Sequence, residues 1–126
     1  MQMLNVEGAP AAIGPYSHAI QSGNLVFCSG QTPVDPATMQ LVGTTIEEQT
    51  ERALQNLSIV LADLWLTLQN IVKTTVFLKD MNDFEGMNAV YAKSFDGHRP
   101  ARSTIAIRQN PLDALVEIEC VAEISG

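Results

Sequence analysis

The chain has 126 residues, of which 46 % are hydrophobic and 17 % are charged. This length and this apolar content predict a single folded domain over residues 1–126 and exclude a disordered chain. Seven Lys and Arg stand against 14 Asp and Glu, a formal net charge of −7 at pH 7. Because the basic residues are scattered, neither nucleic acid nor an anionic membrane is expected as a partner. No apolar run is long enough to span a bilayer and the start lacks a secretory signal pattern, so a cytoplasmic location is expected.

The two cysteines, Cys28 and Cys120, form neither a metal-binding nor a redox pattern. They do not make a C-x-x-C pair, and His18 and His98 complete no standard zinc spacing. Both cysteines fall in apolar stretches, which predicts small buried side chains in a reducing compartment. No metal site is therefore expected.

The first half of the chain predicts two strands and a helix. Residues 17–22 and 24–29 are strand-like, and Gly23-Asn24 between them is a signal for a two-residue hairpin. Apolar residues recur at helical spacing over residues 46–65. Thr45 followed three residues later by Glu48 is a capping box, which places the start of this helix.

The second half predicts a helix among three strands. A strand covers residues 71–79, with Val72 expected on its main apolar face. Asn82 is expected to cap a helix that runs to about residue 95. Residues 101–108 and 115–124 alternate as strands, and their short connection predicts that they are antiparallel neighbours.

These elements predict an α+β fold of two layers, a six-stranded mixed sheet with both helices on one face. Two helices are too few to cover both faces of a sheet of this size. The other face must be covered by something else, and association of subunits is the natural candidate.

Arg102 and Glu119, on the last two predicted strands, are the main candidates for chemistry, since no G-x-S-x-G elbow, P-loop or G-x-G-x-x-G occurs. A planar guanidinium suits a bidentate clamp on a carboxylate, although the residues alone favour an ordinary arginine on a solvated sheet face. Glu119 could act as a general acid and base if partly buried. It could also belong to a solvated carboxylate ladder with Glu117 and Glu123.

Three further candidates lie in a turn or at a strand end. Tyr16 follows the turn Gly14-Pro15 and fits either the rim of a site or an ordinary surface. Ser29 and Gly30 end an apolar strand, where a simple turn and a role in a site are both open, because loops at strand ends often carry site groups.

Five motifs, in this order and spacing, resemble those of the RidA/YjgF family of reactive-intermediate deaminases. The resemblance extends from about residue 7 to residue 124. It implies a chorismate-mutase-like fold and a homotrimer with clefts between subunits. The motifs are Ala9-Pro10-Ala11-Ala12-Ile13-Gly14-Pro15-Tyr16-Ser17, Ser29-Gly30-Gln31-Thr32-Pro33-Val34-Asp35-Pro36, Val72-Lys73-Thr74-Thr75-Val76-Phe77-Leu78-Lys79-Asp80, Pro100-Ala101-Arg102-Ser103 and Val116-Glu117-Ile118-Glu119.

The resemblance also implies a reaction, the hydrolysis of 2-imino and enamine acids such as 2-aminoacrylate and 2-iminobutanoate to 2-oxo acids and ammonia. These small acids are then the expected ligands, and no cofactor is needed because the imine is already activated. By motif position, Arg102 would hold the substrate carboxylate and Glu119 would position water. The residues implied to line the cleft are Tyr16, Ser29, Gly30, Asn88 and Thr104.

Several positions depart from the family pattern, among them Asn110-Pro111 in place of a Leu-Pro turn and a short segment at Asp96-Gly97-His98. Thr104 stands where many relatives have a cysteine, Arg99 replaces a common phenylalanine, and Trp65 replaces a frequent glycine. Two other functions remain open. The first is a non-catalytic regulatory trimer that binds 2-oxo acids. The second is the ribonuclease or translation-inhibitor activity of older family descriptions, against which the charge of −7 counts.

Overall fold

A computed structural model describes residues 1–124 as a six-stranded sheet with two helices. Three short 3-10 turns, at Leu68–Asn70, Met81–Asp83 and Pro111–Asp113, connect elements. The strand order in the sheet is β1-β2-β3-β6-β4-β5. The elements are β1 (Gln2–Leu4), β2 (Ala19–Ser22), β3 (Leu25–Gln31), α1 (Ile46–Ala62), β4 (Ile71–Leu78), α2 (Phe84–Phe95), β5 (Ala101–Ala106) and β6 (Val116–Glu123).

The strand order contradicts the predicted pairing of the last two strands and identifies the sixth strand of the sheet. β6 lies between β3 and β4 and is antiparallel to both, whereas β5 is the edge strand and runs parallel to β4. The prediction that the last two strands are neighbours is therefore wrong. The alternate residues of β6 are fully buried and suit the sheet centre, while no residue of β5 is fully buried. The sixth strand is β1, a three-residue segment too short to show a pattern.

Helix α1 begins as predicted and ends early. Thr45 accepts a hydrogen bond from the backbone N–H of Glu48, whose side chain accepts from the Thr45 N–H, so the capping box is confirmed. The helix ends at Ala62 because Trp65 adopts a left-handed conformation with φ +61°. The Leu66 N–H then donates to the Leu61 carbonyl at 3.1 Å and closes the helix end.

Helix α2 is not capped by Asn82, contrary to expectation. Asn82 lies inside the turn Met81–Asp83, where its N–H donates to the Asp80 carboxylate at 2.8 Å. The helix itself starts at Phe84 without a capping side chain. The Asp80 side chain thus captures the N–H before the helix begins.

The core lies between the helices and one face of the sheet. Its fully buried members include Leu54, Leu57, Val76, Phe95 and Ile118. The predicted hairpin at Gly23-Asn24 is present, with Ser22 paired to Leu25. Cys28 and Cys120 are buried, free and directly opposite each other on β3 and β6.

No helix of the described chain covers the second face of the sheet, which we call the open face. A register shift between Ile71 and Lys73 reverses the alternation at the start of β4. Ile71 is therefore buried, and Val72, expected on the apolar face, is 40 % exposed. Phe27 and Ile105 are each 46 % exposed. None of the helices in residues 1–124 has the length and apolar character needed to cross a membrane.

Candidate functional site

Arg102 lies on the edge strand β5 and faces the helix layer. It pairs with Thr74 of β4, and directly opposite residues on neighbouring strands point to the same face. The guanidinium carbon lies 4.7 Å from the ring centroid of Tyr91 and 5.6 Å from that of Phe84. These rings of α2 hold the half-buried cation by packing and cation–π attraction, without neutralising it.

The cavity beside Arg102 is open and has a volume of about 310 Å³; we call it the arginine cavity. Within residues 1–124 the one ion pair joins Lys79 to Asp113, so Arg102 keeps its charge available. Burial raises the pKa of Tyr91, whose hydroxyl is 2.7 Å from the Thr74 hydroxyl. The lining residues are Asn88, Tyr91, Ala92, Arg99, Pro100 and Arg102.

Asn88 and Thr104 belong to the same region as Arg102. Asn88 lines the arginine cavity from α2. Thr104 follows Arg102 by two residues on β5 and therefore shares its face. The Thr104 hydroxyl oxygen is buried and has no hydrogen-bond partner among the residues that the structure describes. A hydroxyl can both donate and accept a hydrogen bond, so its polar capacity is unsatisfied within the described chain.

Glu119 lies on the opposite face from Arg102. It pairs with Thr75 of β4, the neighbour of Thr74, and successive residues of a strand point to opposite faces. Its side chain is exposed and lines a cavity of about 190 Å³ on the open face, together with Phe27 and Lys73. One copy of the chain therefore cannot bring Arg102 and Glu119 to the same small substrate.

A bulge at Ser29-Gly30 separates two parts of β3. Cys28 pairs with Cys120 and Gln31 with Ile118, so the two bulge residues oppose Glu119 alone. A Cβ atom on Gly30 would lie 2.6 Å from Oε1 of Glu117, so the glutamate packs where only glycine leaves room. The Ser29 hydroxyl donates to the Ser17 carbonyl at 2.7 Å and ties the bulge to the N-terminal loop.

Glu117, not Glu119, is the half-buried carboxyl beside this bulge. Burial, and then the charge of Glu119, raise the pKa of Glu117 above its ordinary value. The sequence pattern assigned Glu117 only to the carboxylate ladder. The signal that could have singled it out is Gly30, because a glycine inside a strand often marks a bulge or a close approach.

Tyr16 shares a small cavity with Gly30. This cavity is also lined by Pro10, His18 and Leu112. The His18 ring fixes the loop, since Nδ1 accepts from the Val6 N–H at 2.8 Å and Nε2 donates to the Pro10 carbonyl at 2.7 Å. Tyr16 itself is 47 % exposed.

The candidate residues thus form two clusters on one chain. The arginine cluster on the helix side of β5 contains Arg102, Asn88 and Thr104. The carboxylate cluster, at the bulge and on the open face, contains Tyr16, Ser29, Gly30, Glu117 and Glu119. Within residues 1–124 no group of three His, Cys, Asp or Glu side chains is placed to hold a metal ion.

The fold and these clusters define a small two-layer α+β protein with candidate site residues at both an edge strand and an open sheet face. The family model described as Endoribonuclease L-PSP matches residues 6–124. The chain therefore belongs to this family, the YjgF/RidA family, and the resemblance found in its motifs is confirmed.

Relatives of known name span the whole chain. It is 43 % identical to Reactive Intermediate Deaminase A, chloroplastic, of Arabidopsis thaliana over 98 % of this chain and 66 % of that one. It is 44 % identical to a RutC family protein of Pyrococcus horikoshii over 96 % of both chains.

Solved structures of the family have the same fold. The structure of the YjgF gene product of E. coli, 36 % identical, superposes with a TM-score of 0.91 and covers 99 % of this chain and 100 % of that one. The structure of E. coli TdcF with bound serine, also 36 % identical and with the same coverage of both chains, superposes with a TM-score of 0.93.

Proposed function

We propose that this protein hydrolyses small 2-imino acids, such as 2-iminobutanoate and the tautomer of 2-aminoacrylate, to 2-oxo acids and ammonia. The observation that carries the proposal is Arg102, a half-buried guanidinium held on aromatic rings, without an acidic partner in residues 1–124, at the wall of an open cavity. The Arabidopsis relative named Reactive Intermediate Deaminase A supports the reaction class. TdcF with bound serine supports a ligand that carries an α-carboxylate.

Arg102 would bind the substrate carboxylate. Its planar guanidinium can donate two parallel hydrogen bonds. The rings of Tyr91 and Phe84 already restrict the motion of the side chain, so little conformational entropy is lost when the substrate binds. This contact fixes the C=N carbon relative to the other groups of the site. Asn88 is the neighbouring polar side chain in the cavity wall that would bind the imine nitrogen or the water. The Thr104 hydroxyl, unpaired within the described chain, lies buried on the same face of β5 and would need a small side-chain rotation to reach the ligand.

Water adds to the C=N carbon, and the resulting carbinolamine breaks its C–N bond to release ammonia. A carboxylate accelerates both steps by accepting a proton from the attacking water and returning it to the departing nitrogen. Glu117 suits this role better than Glu119, because it is half-buried and burial raises its pKa above the ordinary value of a carboxyl. Its carboxyl occupies the space beside the backbone of Gly30.

A second copy of the chain would supply the carboxylate cluster to the arginine cluster. This follows from the placement of Arg102 and Glu117 on opposite faces of one sheet. The exposed apolar residues of the open face, Phe27, Val72 and Ile105, favour burial against other copies. We propose a homotrimer with the site in the cleft between subunits.

The test is turnover of 2-iminobutanoate generated in the assay from its amino acid. We expect release of 2-oxobutanoate and ammonia faster than the spontaneous rate. Arg102→Lys keeps the charge but loses the fork, and should lower kcat/KM by roughly 10-fold or more, since a charge-assisted hydrogen bond contributes about 1.5–3 kcal/mol.

Arg108→Lys is the matched control, because Arg108 is exposed, outside the arginine cavity, and loses the same fork. It should keep the parental rate. A parental rate no faster than the spontaneous one contradicts the proposal. Binding of 2-oxobutanoate without any turnover would support the non-catalytic 2-oxo-acid-binding protein instead.

A further inference from the structure

Arg99 is a second guanidinium at the wall of the arginine cavity. The chain has only seven Lys and Arg in a net charge of −7, yet two of the seven line this one cavity. Within residues 1–124 neither of them pairs with a carboxylate, since the one ion pair is Lys79–Asp113. Two unpaired like charges beside one cavity repel each other, and an anionic ligand relieves that repulsion.

The two arginines are held in different ways. Arg102 is half-buried on the rings of α2, whereas Arg99 is exposed in the loop before β5. One Nη of Arg99 donates to the His98 carbonyl at 3.0 Å, which leaves most of its five donors free. Pro100, also in the cavity wall, restricts the backbone of Arg99 to extended conformations. The backbone that joins the two arginines is therefore restricted, and Arg99 stays at the wall of the cavity.

We propose that Arg99 is a specificity residue that binds a second anionic group, so that this protein prefers 2-imino acids with a carboxylate at the end of the side chain. This inference rests on the proposed function. Arg102 takes the α-carboxylate common to all substrates, and Arg99 takes the distal carboxylate. The preferred substrates are then the imines of acidic amino acids, in contrast to the monocarboxylate 2-iminobutanoate.

Charge supports this assignment over a solvated surface arginine. In a chain with twice as many acidic as basic residues, most of the surface repels a dianion. The arginine cavity is the one described cavity that two arginines line, so local attraction there is strongest for a ligand with two negative groups. Within residues 1–124 of one chain, a monocarboxylate leaves Arg99 without an anionic partner.

The test compares kcat/KM for the imine of glutamate with that for 2-iminobutanoate, both generated in the assay. We expect the parent to favour the dicarboxylate, and Arg99→Gln to lower the ratio of the two kcat/KM values at least fivefold. The matched control is Arg108→Gln, which removes the same charge from an exposed site outside the cavity and should keep the parental ratio. An equal ratio in the parent and Arg99→Gln overturns the inference.

A second readout separates this inference from the proposed function. Calorimetry measures Kd for 2-oxoglutarate and 2-oxobutanoate, which requires binding but no turnover. If neither imine is hydrolysed but Arg99→Gln selectively weakens 2-oxoglutarate at least fivefold, the hydrolysis is wrong and the role of Arg99 stands. If both imines are hydrolysed and both affinities fall equally, the hydrolysis stands and the role of Arg99 is wrong. Absence of both turnover and binding overturns both.

Discussion

Glu117 and Glu119 are two residues apart on β6, share a face of the sheet, and differ in environment. Glu119 is exposed and opposes the bulge of β3. Glu117 is half-buried against Gly30, whose missing side chain makes the space that the carboxyl occupies. The alternation of β6 shows that both side chains share a face, but burial depends on the neighbouring strand, which lies about 90 residues away in sequence.

The pair gives a direct test of which carboxylate transfers the proton. We expect Glu117→Gln to lower kcat on the order of 10²-fold, because the amide keeps the shape but exchanges no proton. Glu119→Gln should lower kcat less. The measurement is steady-state turnover of 2-iminobutanoate, with circular dichroism to show that both variants are folded. A larger loss in Glu119→Gln would return the role to Glu119, as the motif resemblance implies.

Glu117 should also make stability depend on pH. Burial first, and then the charge of Glu119, raise its pKa above the ordinary 4.5. A carboxyl whose pKa is higher in the folded chain favours folding below the unfolded pKa, and this contribution is lost as pH rises through the folded pKa. Glu117→Gln has no ionisable group at this position, so its free energy of unfolding does not fall with rising pH for this reason.

The free energy of unfolding by urea, followed at fixed protein concentration from about pH 4 to neutral pH, tests this dependence. We expect Glu117→Gln to gain stability relative to the parent as pH rises. Glu85→Gln, on the exposed side of α2, controls for the removal of one charge. Parallel pH profiles of the parent and Glu117→Gln would show that the carboxyl is not desolvated.

At the scale of helices, strands and turns, the sequence correctly predicted the features that depend on interactions between residues close in sequence. The capping box of Thr45, the hairpin at Gly23-Asn24 and the alternation of β6 each involve residues close in sequence, and all three are present. The predictions for the cap of α2 and for the burial of Val72 were wrong, because a competing local contact determines the first and pairing with a distant strand determines the second. Asp80 takes the N–H of Asn82, and the bulge of β4 exposes Val72.

Trp65 ends α1 in a conformation that suits glycine better. Its φ is +61° and its side chain is 95 % exposed, so the ring gains little from packing. A residue with a Cβ in this region costs about 1–2 kcal/mol relative to glycine. We therefore expect Trp65→Gly to raise the free energy of unfolding by about 1 kcal/mol, measured by urea denaturation.

Trp65→Ala is the control for this substitution, because it removes the indole but keeps the Cβ. It should show little or none of the gain. Equal stabilisation by both variants would mean that the exposed ring, rather than the backbone conformation, is unfavourable at this helix end.

The whole molecule has one covered sheet face and one open face. The open face combines the apolar side chains of Phe27, Val72 and Ile105 with the carboxylate cluster. Exposure of this apolar area is unfavourable in water, and its burial against other copies would at the same time complete the site. Assembly and activity should therefore be lost together.

Light scattering should give a mass of about three times 13.7 kDa for the parent. Phe27→Asp places a charge in the open face and should shift the mass towards that of one chain, with loss of imine turnover. Trp65→Asp makes the same apolar-to-acidic change at an exposed residue in the segment after α1, outside the sheet, and should leave the mass unchanged. A stable, active monomer of the parent would contradict a site between subunits.

The sequence by itself determined the fold class, the local elements and, through five ordered motifs, the family. These follow from periodicity, caps, turns and motifs, which depend on residues near one another in the chain. Only the tertiary structure decided that β6 lies between β3 and β4, that Arg102 and Glu119 occupy opposite faces, and that Glu117 packs on Gly30. Each of these depends on contacts between distant segments. A one-residue bulge, as at Ser29-Gly30 or after Ile71, reverses which side chains face the core. Its presence is fixed by pairing with a distant strand, so the alternation of residues along one strand does not reveal it.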